Sequence, residues 1–357
     1  MRFDKIIQNR TYATVQGEAS IDRHGADVVT VVAKLSLSFD KTGKLGLAAR
    51  PLRTHDEPDG SGGIRYPADF ATEKTGTDVG LVGTLVPPDR GGLTQAHAWL
   101  RIGSLGKAVQ VFGPRIFVEG RQGIVPGPAG PLERTPLIPA LAQGGVDDAV
   151  ELPEQRTRDG HNPSGRGHAA DPSRLLGRPA PQIEPIPLLD VVTSINVKTD
   201  PVSRAQAAFA PIPPQFQPRL GRRGTEDSAW RRTRAPVAPE DFDPMYDSWA
   251  SFGLHTERPL TGTEGVELGG LRPGSPIQFH LPGFAPSFRS VERGSEHEHP
   301  THLDGVLFDI DDAVVELTWR VSIPLPMPWA RLQRVEVLQA KSLPAEIAQR
   351  PQMRGVL

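Results

Sequence analysis

The sequence predicts a mainly β fold: antiparallel sandwich-like or barrel-like sheets, a long ordered Pro/Gly-rich coil region and little helix. Three observations lead there. Apolar and polar residues alternate with a period of two near both ends of the chain. Gly and Pro number 37 each in 357 residues, well above ordinary usage, so turns and irregular backbone must be abundant. Helical character is confined to the tail "LPAEIAQR" and the short "LIPALAQ". Strands at both ends with little helix between them imply sheet-on-sheet packing, not βαβ units.

The first element is the clearest. In "DVVTVVAKLSLSF", Asp27 to Phe39, the residues Val29, Val31, Ala33, Leu35, Leu37 and Phe39 share one face. Thr30, Lys34, Ser36 and Ser38 share the other, while Val28 and Val32 indicate that the first half is covered on both sides. "VGLVGTLV" is a shorter strand candidate. "QAHAWLRIG" and "KAVQVF" then form a hairpin turning at Gly103 to Lys107. Further on come "PIQFHLP", the hairpin "DGVLFDIDDAVVELTWRVSIP" with Asp311 and Asp312 at its turn, and "RLQRVEVLQ". Three sub-regions follow: an N-terminal β lobe (1–125), irregular coil packed on the sheets (126–240) and a C-terminal β lobe (241–357).

The middle region poses the main question. "HNPSGRGHAADPSRLLGRPAPQIEP", His161 to Pro185, has no alternation and no helical face, and its prolines forbid a long backbone ladder. Flexible linkers are Gly/Ser-rich or strongly charged. This region instead scatters Leu, Ile, Val, Phe and Trp among its prolines, which predicts ordered coil.

Composition excludes several classes of function. No cysteine is present, so disulfides and thiolate sites are ruled out. A net charge of −2 argues against a chain-wide grip on nucleic acid. No apolar run approaches the roughly 20 residues of a membrane helix, and the opening "MRFDKIIQNR" lacks the apolar stretch of a secretory signal. A cytoplasmic location is expected, with no membrane or nucleic-acid partner.

Candidate chemistry is sparse. "GSEHEHPTH" places His297, His299 and His302 near Glu296 and Glu298, residue types that ligate zinc. Pro300 and Thr301 break the helical His-Glu-x-x-His spacing, so a polar hairpin is the plainer reading and no cofactor is expected. "RRGTEDSAWRRTR" carries five Arg around Trp230, interrupted by Glu226 and Asp227, which favours Arg–carboxylate pairing within the coil or with an acidic partner. "PEDFDPMYDSWASF" offers Phe242, Tyr246 and Trp249 either as anchors on the sheet or as interface contacts. Nucleophile-elbow, phosphate-loop and dinucleotide fingerprints are missing. A metal- or carboxylate-dependent hydrolase on a β scaffold stays open as the alternative, because paired carboxylates need no local motif.

A series of landmarks resembles the bacterial DUF2169 family across nearly the whole chain, as a single family domain. It runs through "VVAKLSLSF", "IRYPADFATEKTGTDVGLVGT", "LRIGSLGKAVQVFGPRIF", "HNPSGRG" and "APQIEP". It continues with "FAPIPPQFQPRLGRRGTEDSAW", "PEDFDPMYDSWA", "LTGTEGVELGGLRPGSPIQFHLPG" and "LDGVLFDIDDAVVELTWR". "TPLIPALAQGG" and "QPRL" depart from the family pattern. The resemblance implies a non-enzymatic adaptor or chaperone for a type VI secretion effector or its PAAR-type spike tip. On that reading Asn162, Arg166, Arg223, Asp227 and Trp230 order the docking coil, and Phe242, Tyr246 and Trp249 are partner contacts.

Overall fold

The computed structural model describes residues 5–88, 91–121, 123–188, 197, 199–325 and 331–348. Three open sheets carry the fold, and no closed barrel forms among the described residues. In the largest, Asp27–Phe39 is next to one edge, with Thr14–Ile21 on one side and Val314–Pro324, Leu303–Asp309, Thr77–Val82 and His255–Thr256 in order on the other. Leu45–Ala48 continues the Thr14–Ile21 side. The second sheet orders Ile183–Ile186, Leu105–Phe112, Gln95–Ile102, Gly265–Gly269 and Ile277–His280. The third orders Ile7–Asn9, Leu332–Lys341, Ala285–Glu292 and Ser295–His299.

Pairing within these three sheets is mostly antiparallel, with two exceptions among the described residues. Leu303–Asp309 runs parallel to Thr77–Val82, and Ile7–Asn9 runs parallel to Leu332–Lys341. Both strand pairs are far apart in sequence, so no tight hairpin dictates their direction.

The alternation of Asp27–Phe39 sets the main core. Val29, Val31, Ala33, Leu35 and Leu37 are fully buried against Leu100, Ile102, Val109 and Val111 of the second sheet and Phe288, Val335 and Val337 of the third. Phe39 stacks on Phe279 at 5.6 Å between centroids, and Phe279 meets Phe308 edge-on at 6.4 Å, joining the first two sheets.

The other face of the same strand is covered further than Val28 and Val32 indicate. Thr30, Lys34 and Ser36 are all buried, Lys34 with 1% of its surface exposed, so the cover extends from the first half of the strand into the second. Coil covers this face as well. The described residues of the central region pack on the sheets, and three short helices occur among them where no helical period was visible: Pro201–Ala205, Arg219–Arg222 and Ser228–Thr233. The first and last are started by Asp200 and Asp227, whose carboxylates accept from the backbone N–H of Ser203 and Trp230. "LIPALAQ" forms only a 3-10 turn, Pro139–Leu141. In the tail Ala345–Ala348 is helical, and the end of "LPAEIAQR" lies outside the described residues.

Candidate functional site

The second face of the large sheet is a roofed layer of charge. Strand registers place Asp78, Gly305, Thr318 and Lys34 in one row, and Gly80, Leu307, Glu316 and Ser36 in the next. Isolated charges on such a dry face would be very costly, so each is met by an opposite charge. Lys34 Nζ lies 2.6 Å from Asp69 and 3.6 Å from Glu316. Arg53 grips Glu316 through both guanidinium nitrogens, at 2.6 and 2.8 Å, while its own N–H donates to Asp69. Arg320 sits 2.6 Å from Asp304. Burial raises the pKa of Asp69, against the pull of Lys34. Burial pushes Glu316 upward too, but Arg53 and Lys34 prevail and hold it below the usual carboxylate range.

Asp78 is the hub of this layer. Its carboxylate is fully buried and accepts from Ser248 Oγ at 2.6 Å and from the Trp249 N–H at 2.8 Å. His255 Nδ1 lies 2.8 Å away and Lys74 Nζ 2.7 Å away. Burial alone would raise this group; the Lys74 charge and the His255 and Ser248 hydrogen bonds outweigh it and hold the pKa well below normal. Desolvation lowers the pKa of Lys74, with Asp78 opposing. Ser, His and Asp thus meet, but not as a catalytic relay. Ser248 and His255 share the same oxygen of one Asp, whereas a relay needs the hydroxyl on the far imidazole nitrogen. The cluster pins residues 248–255 to the sheet. Trp249 seals it with 6% exposure; its ring lies 4.8 Å from Lys74 and packs with Leu307, Val82 and Ala210. The expectation of Trp249 as a partner contact therefore gives way to the anchoring role, because its apolar ring is inside.

A second pin comes from the second sheet. Lys107 Nζ is buried and donates to the carbonyls of Gln206 and Ala208 and to Ser251 Oγ. Desolvation pulls its pKa down to about 7. Three oxygens take all three ammonium protons and fix the 206–208 turn against residue 251. The Leu81 N–H donates to Phe209 O and the Ile212 N–H to Trp249 O, so coil takes the place of a further strand.

The loop around His161 is tied in the same manner. Asn162, 1% exposed, donates through Nδ2 to the carbonyls of Pro139 and Gln143 at 2.8 and 2.9 Å. Gly144 holds φ +139, and a Cβ there would meet Asn162 O at 2.2 Å, so this close approach requires glycine. Arg166 bonds Gln182 Oε1 at 3.1 Å. The Gln217 N–H bonds Gly160 O, linking this loop to the next segment.

The Arg-rich stretch and the aromatic stretch form one lobe. Arg219 donates to Tyr246 O and Ile212 O, and its guanidinium stands 5.4 Å from the Tyr246 ring centroid. Phe242 and Tyr246 meet edge-on at 5.8 Å and stay half-buried. Arg223 pairs with Glu226, and Trp230 donates from Nε1 to Val237 O. Leu220 is 44% exposed beside them. Phe242 and Tyr246 therefore sit beside Arg219–Arg222, which leads into Arg223, while Trp230 closes on Val237, and Asn162 and Arg166 belong to a separate loop.

His297, His299 and His302 are not gathered. His297 and His299 lie on the edge strand Ser295–His299; His299 Nε2 contacts Ser290 Oγ, and His302 Nε2 contacts Gly76 O. His299 and His302 do line one cleft of about 490 Å³, but Lys74 and Arg320 share its wall, a poor setting for a divalent cation. Among the described residues no group of three or more His, Asp or Glu is placed to hold a metal.

These pins fall within the sequence landmarks: Asp69, Lys74 and Asp78 in one, Lys107 in the next, Asn162 in the third. A family model described as "Uncharacterized protein conserved in bacteria (DUF2169)" matches residues 24–320. The chain belongs to the DUF2169 family. Comparison with curated proteins and with solved structures found no match. Among the described residues of this DUF2169 protein, no helix is long and apolar enough to cross a membrane. Lys34, Lys107, Ser251 and His255 were not singled out from the sequence. For Lys34 the available signal was its place in a strand that Val28 and Val32 mark as covered on both sides in its first half.

Proposed function

We propose that this DUF2169 protein is a non-enzymatic adaptor or chaperone that binds a type VI secretion effector, or its PAAR-type spike tip, and assists loading onto the secretion spike. The observation that carries the reading is how the buried polar side chains are used. Asp78, Lys107 and Asn162 each spend their hydrogen-bonding capacity on fixing coil to the scaffold. Coil ordered in advance loses less entropy when it captures a partner. The docking surface is the half-buried pair Phe242 and Tyr246 with Leu220, rimmed by Arg222 and Arg223. Aromatic and Arg side chains dominate such contacts. The resemblance of the landmark series to secretion-associated relatives supplies the partner class.

The test is co-purification of the chain with a PAAR-type spike-tip protein from the same genome, followed by titration calorimetry. A stoichiometric complex is expected, weakened at least tenfold by F242A with Y246A while the melting temperature stays near that of the parent. Delivery of the effector at normal levels after deletion of this gene would overturn the reading.

A further inference from the structure

One cluster in the charged layer brings together a nucleophile, an electrophile and a proton carrier. Lys34 and Glu316 stand on neighbouring strands; Glu316 is paired with Ser36, two residues along the same face from Lys34. Asp69 reaches this face from the covering coil, and all three residues are buried. Lys34 Nζ lies 2.6 Å from Asp69 Oδ2 and 3.6 Å from Glu316 Oε2. The Asp69 carboxyl carbon is one bond beyond Oδ2, so the amine already stands at near-attack range.

The two carboxyl groups are set for different roles. Burial works against charge on both. It prevails at Asp69, which is easier to protonate than an exposed aspartate. At Glu316 the Arg53 hydrogen bonds and the Lys34 charge outweigh it and hold the group ionised. Carboxyls pushed apart in this way fit an electrophile and a base. Asp69 Oδ2 also accepts the Arg53 N–H at 2.6 Å, a donor aimed where negative charge develops during attack. A cavity of about 10 Å³, lined by Arg53, Asp69, Glu316 and Thr318, has room for about one water. Other inward lysines lack this combination. Lys74 meets Asp78, whose carboxylate stays ionised and is a poor electrophile, and Lys107 meets two carbonyls and a hydroxyl.

We propose that Lys34 and Asp69 condense into an intramolecular isopeptide bond, with Glu316 carrying the protons. Glu316 takes a proton from the Lys34 ammonium, and the freed lone pair attacks the Asp69 carboxyl carbon. The C–N bond forms as the π pair moves onto Oδ2, beside the Arg53 N–H. Collapse restores the carbonyl at Oδ2 and breaks the bond to Oδ1. Two of the three ammonium protons pass through Glu316 to Oδ1, which leaves as water, and the third stays on the amide. Glu316 ends ionised, as it began, and no oxidant or co-reactant is consumed. The product replaces a buried ion pair with a neutral amide and leaves Arg53 and Glu316 matched. It ties coil to sheet across a 35-residue separation, a covalent staple in a chain without cysteine. The proposal stands independently of the adaptor reading.

Intact-mass spectrometry of the purified chain, denatured just before injection, tests the proposal. A mass lower by one water is expected in most molecules. Trypsin should then fail to cut after Lys34, and residues 24–41 should be recovered joined to residues 66–74. Lys34→Arg and Asp69→Ala should show the full mass of their sequences, and Glu316→Gln should remain unlinked when the parent is complete. Asp69→Asn should lose ammonia in place of water, because the same attack expels the amide nitrogen. A parent chain that is folded by circular dichroism and keeps its full mass on prolonged incubation overturns the proposal, and this measurement needs no variant. So does a water loss that maps to an Asp–Gly step such as Asp59–Gly60, with Lys34 still cut by trypsin, since that is succinimide formation.

Discussion

Asp78→Asn is the sharpest perturbation of the buried hub, and its size can be worked from the contacts. An amide nearly preserves the volume but removes the charge that compensates Lys74, whose side chain is 1% exposed. Leaving one member of a buried ion pair alone costs about 3–5 kcal/mol. The amide must also present an N–H₂ toward either the Trp249 N–H or the Ser248 and His255 side, leaving a buried donor unsatisfied at about 1–3 kcal/mol. The sum, roughly 4–8 kcal/mol, is comparable with the whole stability of a typical domain, about 5–15 kcal/mol. Adding Lys74→Met removes the stranded cation and should restore about 3 kcal/mol or more. Urea unfolding followed by tryptophan fluorescence and far-UV circular dichroism measures all four corners of the cycle. Acid adds a second readout. The folded pKa of Asp78 lies below its unfolded value, so its stabilisation is complete above about pH 4 and is lost as pH falls toward the folded pKa. The acid limb of the stability profile should flatten in Asp78→Asn. A single variant within about 1 kcal/mol of the parent, or a double variant as unstable as the summed singles, would refute the reasoning.

Other expectations concern the remaining pins. With a folded pKa of about 7, Lys107 binds fewer protons in the folded chain than in the unfolded chain from there to its ordinary value near 10.5. Stability should therefore rise with pH across that window, by up to about 1.4 kcal/mol per pH unit relative to Lys107→Met; parallel profiles for the two proteins would contradict this. Asn162→Ala strands the carbonyls of Pro139 and Gln143 and should lower stability by about 2–4 kcal/mol, with faster amide exchange at Gly145 and Arg166. Asp227→Ala removes the N-terminal cap of Ser228–Thr233 and should cost about 1 kcal/mol. It should appear as local exchange at the Trp230 amide, with little change in the global unfolding midpoint.

The strands were legible because period-2 alternation is local information. Asp27–Phe39 and the hairpin through Asp311 and Asp312 stand where the pattern puts them. The buried charged face was not legible. Thr30, Lys34 and Ser36 form an ordinary polar row in sequence, and their burial depends on partners supplied from afar: Asp69 lies 35 residues beyond Lys34, and Glu316 lies 263 beyond Arg53. The one-turn helices escaped notice because four to six residues are too few to show a 3.6-residue period. Trp249 illustrates the limit of composition: an aromatic among aspartates reads equally as anchor or contact, and only the Gly80 and Leu307 surface beneath it decides.

Amide hydrogen exchange on the isolated chain tests the central claim most directly, that the described residues between 139 and 252 are fixed on the sheets before any partner arrives. Slow exchange is predicted at the amides of Gly145, Asp159, Arg166, Ile212, Asp243 and Trp249, whose N–H groups are bonded within the fold. Uniformly fast exchange across that region, with protection confined to the sheets, would contradict the account.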